Sequence, residues 1–171
     1  IFGSVQTGST VLATAEGKAG LAGLIHATLG IGSVIAGLAI TALPERVLYA
    51  TRMLVAALAL LVLSAPLLLV DSVVSLIGVI ALLGFAVAPY MISNFALAGI
   101  LVPLHRVGTA MTLLAGATGV GYAVGASIAG RLADHHGHTA AFAVTVSAAA
   151  LAVLLAVTAN RALRSAVPAN V

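Results

Sequence analysis

Charge is what this sequence has least of. Charged residues make up 6% of its 171 positions, and only four of them are acidic. A soluble domain carries about 25%, so this chain must bury nearly all its length in lipid or against other apolar helices. Cysteine is absent, which excludes a disulfide framework or a thiolate metal site and leaves the redox compartment unread. The seven Lys and Arg are scattered and form no basic patch, so the high pI does not point to nucleic acid. Enzyme signatures are missing too: there is no HExxH, no P-loop lysine motif and no GxSxG, and Ser127 in GASIAG lacks the final glycine spacing. We therefore expect no enzyme and no cofactor. No charged leader with a cleavage site is visible. The chain starts at Ile1, already inside an apolar segment, and reads as a piece of a longer protein.

What is present is hydrophobic sequence, 62% of the chain, with a mean hydropathy of +1.24. It divides into six apolar stretches, approximately 2–15, 19–43, 47–69, 72–102, 108–132 and 139–160. The expectation is an all-α membrane protein of six transmembrane helices. The first is short of a full span, since its residues rise only about 20 Å against a hydrocarbon core of about 30 Å. Polar turns separate the stretches: Glu16-Gly17-Lys18, Pro44-Glu45-Arg46, Asp71-Ser72, Pro103–Arg106 and Arg131–His138. Pro89 falls inside the fourth stretch, where it removes a backbone hydrogen bond and predicts a kink.

The stretch Gly108–Gly130 organises the rest. It holds six glycines and no charge. Each interior glycine costs roughly 1 kcal/mol relative to alanine in water, but in a bilayer small residues let helix backbones approach closely. Gly121 and Gly125 form a GxxxG pair, and Gly119 lies on the adjoining stripe. These three, with Gly30 and Gly37 in the second stretch, are the expected helix-packing positions. The glycine counts repeat: two, five and zero in the first three helices, three, six and zero in the last three. With three passes in each set, the sets start on opposite faces, which is a 3+3 inverted-topology repeat. Five basic residues (Arg46, Arg52, Arg106, Arg161, Arg164) fall on one side and two (Lys18, Arg131) on the other. The five-residue side, with the C-terminus, is expected to be cytoplasmic.

Three segments carry a family resemblance across essentially the whole chain: FGSVQTGSTVLATAEGKAGLAGLIHATLGIGS, GFAVAPYMISNFALAGILVPLHRVGTAM and GVGYAVGASIAGRLADHHG. Their small residues and turns resemble helices seven to twelve, the C-terminal half, of bacterial efflux-type members of the major facilitator superfamily. The loop LPERVLYATR departs from the family pattern of glycine, aspartate and several arginines, which puts regulation through that loop in doubt. The resemblance implies one half of a twelve-helix inner-membrane transporter working by alternating access, whose partner is the missing N-terminal six-helix half. In that fold the first helix of each triplet lines the cavity, the second packs on the other half and the third faces lipid. The implied activity is proton-coupled efflux of a small organic, drug- or sugar-like molecule. A proton-coupled uptake permease of the same fold, or a non-transporting scaffold subunit, is the alternative; an intramembrane hydrolase built on Ser127 and His26 would be a different class.

Polar side chains within the membrane are costly and so are candidates for function. Gln6 and Thr10 share a face of the first helix and are candidates for hydrogen bonding a substrate; a hydroxyl bonded back to its own helix is the plainer reading. Asn94, five residues after Pro89, is a second candidate, with Tyr90 as companion. Tyr122 either reaches the cavity or packs among glycines. His26 titrates in the physiological range when unperturbed and is the coupling candidate. His135, His136 and His138 read as an interfacial loop, not a metal site. All four acids (Glu16, Glu45, Asp71, Asp134) fall in loops or at helix ends, so the proton site is expected in the N-terminal half.

Overall fold

The computed structural model describes residues 1–42 and 48–166. Among these there is no strand, and five α-helical runs follow one another: α1 (Phe2–Ala15), α2 (Ala22–Thr41), α3 (Tyr49–Ser64), α4 (Val73–Leu101) and α5 (Val107–Ala166). Short 3-10 turns at Ala19–Leu21, Ala65–Leu69 and Leu104–Arg106 lead into α2, extend α3 and lead into α5. Four segments are long and apolar enough to cross a bilayer: Ala19–Thr41, Tyr49–Leu69, Val73–Leu101 and Leu104–Asn160. The expected turn at Pro44-Glu45-Arg46 lies outside the described residues.

The last of these would reach about 85 Å if straight, nearly three bilayer cores. It does not run straight. Gly137 has φ 74° and ψ −170°, a conformation essentially confined to glycine, and it breaks α5 into arms spanning 107–136 and 138–166. Ala129 and Ala133 of the first arm share a buried cluster with Ala141 and Val144 of the second, so the arms fold back as a hairpin. The expected exit loop over 131–138 is therefore helix up to His136, and the reversal is one residue. The reason is Gly137 itself, which supplies the turn that a longer loop would otherwise make.

The α1 end is a Schellman cap. Gly17 takes φ 70°, its N–H donates to the Thr14 carbonyl at 2.9 Å, and the Lys18 N–H donates to Ala13 at 2.7 Å. The tight turn at Asp71-Ser72 is present; Ser72 is the N-cap of α4, its side chain accepting from the Ser75 N–H at 3.3 Å. The helix α4 runs on through Pro89.

At the core, α4 is the axis. Its Val73, Leu76, Ile80, Leu83, Ala86 and Val87 are buried with Val5 and Leu12 of α1, Ile25 and Leu29 of α2, Leu60 of α3 and Phe142 of α5. Close backbone approach fixes two helix pairs. A methyl on Gly3 would collide with the Tyr122 carbonyl, which packs α1 on the first arm of α5. A methyl on Gly32 would meet the Ala81 carbonyl, and one on Gly84 the Leu29 carbonyl, which packs α2 on α4. A third helix pair forms where Met53 and Ala57 of α3 meet Ala156 of the second arm of α5.

Two longer-range bonds gather three chain reversals at one end of the bundle. The Val73 N–H donates to Glu16 Oε1 at 2.8 Å, and His138 Nε2 lies 3.0 Å from the Val70 carbonyl. The turn after α1, the turn before α4 and the Gly137 reversal thus sit together.

Candidate functional site

A cavity of about 510 Å³ opens between α1, α4 and the two arms of α5. Phe2, Val87, Met91, Val124, Ile128 and Leu151 give it an apolar wall, and Tyr90, Thr118 and Tyr122 are its hydroxyl-bearing side chains. Gly121 and Gly125 line it as well, and their missing side chains leave it its width.

Two sequence candidates come together at its edge. The Tyr122 hydroxyl donates to Gln6 Oε1, joining α5 to α1. Both side chains are exposed, so the pair stands on an open face of the bundle. The Gln6 amide still carries two N–H donors and the tyrosine oxygen still has lone pairs to offer. Such a pair can bind a neutral hydroxyl, amide or carbonyl group, and among the described residues no charged side chain lines the cavity.

The others are placed differently. Thr10 donates its hydroxyl to the Gln6 carbonyl at 2.9 Å, the back-bond onto its own helix. Asn94 is not among the residues lining the cavity; its Nδ2 donates to the Tyr90 carbonyl at 2.8 Å. One helical turn earlier Pro89 has no N–H to give, and Ser93 donates to the Pro89 carbonyl at 2.7 Å. The polar side chains after the proline are thus turned onto the α4 backbone. His26 stands on α2, half-buried, with no hydrogen-bond partner for its buried Nδ1. His135 and His136 are exposed, while His138 turns inward to Val70 and lies edge-on to Phe142, with ring centroids 6.1 Å apart.

Among the packing glycines, a methyl on Gly37 would touch Ala88 at 3.4 Å and one on Gly125 would touch Ser4 at 3.7 Å. Gly30, Gly119 and Gly121 face open space. The positions of tightest approach, Gly3, Gly8, Gly32 and Gly84, are ones that sequence reasoning did not single out. Nor did it find the buried bond between Ser4 Oγ and Thr145 Oγ1, 2.8 Å long, which ties α1 to the second arm of α5. The buried residues of α2, Ile25, Leu29, Gly32, Ala36 and Ile40, recur at three- and four-residue spacing, but the other faces of the helix are nearly as apolar and hide the stripe.

No curated protein and no solved structure matches the chain. A family model described as Major Facilitator Superfamily matches residues 6–170. A multi-pass helical chain with an apolar cavity, matched over nearly its whole length, belongs to the Major Facilitator Superfamily, a family of membrane transporters.

Proposed function

We propose that this chain is the C-terminal six-helix half of a secondary transporter that moves a small organic solute by alternating access, with proton-coupled efflux of drug- or sugar-like molecules as its direction and drive. The observation that carries the reading is the Tyr122–Gln6 pair at the edge of the apolar cavity. It joins two helices through neutral hydrogen-bonding groups beside a wall suited to a partly apolar guest. Gln6, Tyr122 and Tyr90 are the substrate-binding residues in this reading. Thr10 and Asn94 offer only the acceptor capacity that their back-bonds leave.

The helix pairing supports six passes arranged as a 3+3 inverted repeat. Helix α1 packs on the first arm of α5, and α4 packs on α2. Exchanging the two triplets turns one pair into the other. The open sides of Gly30, Gly119 and Gly121 are the surface on which an N-terminal half would pack, since small residues are what close membrane contacts use. On this reading the protein lies in the inner membrane with its C-terminus in the cytoplasm.

The test is transport by the complete protein in proteoliposomes with an imposed proton gradient. Tyr122→Phe and Gln6→Ala should each change the ranking of a panel of neutral substrates while leaving proton-linked movement of some of them. Unchanged kinetics across the panel in both variants would refute the site.

A further inference from the structure

Thr118 lines the cavity from the first arm of α5, one helical turn before Tyr122. Its hydroxyl donates to the Leu114 carbonyl at 2.8 Å. That back-bond occupies its hydrogen, and only lone pairs remain for anything else. Tyr122 is in the same condition, its hydrogen given to Gln6 Oε1. The other α5 side chains at the cavity, Val124, Ile128, Val144, Ala148 and Leu151, are apolar. Among the described residues, the α5 wall thus presents acceptors and no side-chain donor. Tyr90 differs: it lines the cavity from α4 with its hydroxyl in no hydrogen bond among the described residues, so it can donate or accept.

We propose that Thr118 is a specificity residue that accepts a hydrogen bond from the guest. The cavity then selects molecules that carry an O–H or N–H group over analogues of the same size that lack one. The inference rests on the substrate reading of this cavity. A guest donor that meets Thr118 adds a bond and disturbs none. A guest acceptor is served there only if the hydroxyl turns away from Leu114, which exchanges one bond for another with no net gain. The apolar surroundings sharpen the difference, because a guest donor that finds no partner among them has lost its bond to water. A site built to hydrogen-bond a guest discriminates against the analogue that lacks the matching group. On the α5 wall that group is a donor.

The probes are matched pairs. Aryl glycosides are paired with analogues in which fluorine replaces one hydroxyl at nearly the same size, and aryl amides bearing N–H are paired with their N-methyl forms. Binding to the complete purified protein is measured by calorimetric titration. The best donor-bearing member should bind about fivefold more tightly than its partner, the net contribution of one hydrogen bond. Thr118→Val keeps the branched shape without the hydroxyl and should abolish that preference. Thr118→Ser should keep it, and so should Tyr90→Phe, which alters the opposite wall. Pairs bound equally by the unaltered protein, or a preference that survives Thr118→Val, would overturn the inference. In the second case the substrate site still stands if Tyr122→Phe and Gln6→Ala reorder the panel. A panel indifferent to all three substitutions would remove the site and the inference together.

Discussion

Glu16 closes one helix and opens another: it is the C-cap of α1, and its Oε1 accepts the first N–H of α4, from Val73, at 2.8 Å. A carboxylate at a helix N-terminus satisfies an orphan donor and meets the positive end of the dipole. Its other oxygen accepts from Lys18 Nζ at 2.7 Å. The Lys18 bond first, then the Val73 N–H, hold the carboxyl below its ordinary pKa of 4.5. A carboxyl depressed in the folded state stabilises above its unfolded pKa, and that contribution is lost as pH falls through the folded value. Thermal unfolding in detergent should therefore show a loss of stability on acidification below about pH 4.5 that is shallower in Glu16→Gln. Superimposable pH profiles would refute the assignment.

Gly32 and Gly119 make opposite predictions from the same residue type. A Cβ on Gly32 meets the Ala81 carbonyl, which is backbone and cannot yield, whereas Gly119 faces open space. Gly32→Val should cost about 3 kcal/mol or more and deplete the folded protein. Gly119→Val should leave α1 to α5 folded yet impair transport, because the added methyls stand where the other half would pack. Size-exclusion profiles beside flux measurements separate the two outcomes.

The Ser4–Thr145 bond is fully buried. Ser4 also donates to the Ile1 carbonyl at 2.8 Å, so removing the threonine hydroxyl does not orphan it. Thr145→Val should then lower stability by only about 0.6 kcal/mol, the average for side-chain bonds within membranes. A double-mutant cycle with Ser4→Ala measures it.

His26→Ala should slow transport or weaken the fold without removing the pH dependence of exchange, because the proposed proton site lies in the other half. Normal substrate binding with transport indifferent to the proton gradient would instead move coupling to His26.

A reporter fused after Val171 should be active only in the cytoplasm, as five basic residues against two demand.

Much of this architecture could be read from composition and punctuation. Gly17, Asp71-Ser72 and Pro103 mark reversals because a left-handed turn, a side-chain cap and a missing N–H act locally. The arms of α5 were expected as separate helices, but their junction was not expected to be so short, since nothing local shows that Gly137 replaces a loop. The buried faces were harder. In α2 almost every residue is apolar, so hydrophobicity cannot tell that Gly32 meets the α4 backbone while Gly30 faces open space. The Tyr122–Gln6 bond spans 116 positions and became visible only once α1 lay against α5. Thr10 makes the back-bond that was its plainer reading, and Asn94, expected to face a cavity or a neighbouring helix, is likewise satisfied by a carbonyl of its own helix.

The reversal at Gly137 also has a mechanical meaning. A hairpin joined by a single residue has no slack: a slide of one arm along its axis must be matched by the other to within about one residue's rise, 1.5 Å. The wall beside Tyr122 and the second arm from 138 onward are therefore one lever. A change in the cavity's shape carried by the first arm must move the second arm as well, and with it Leu151 on the cavity wall and Ala156 against α3.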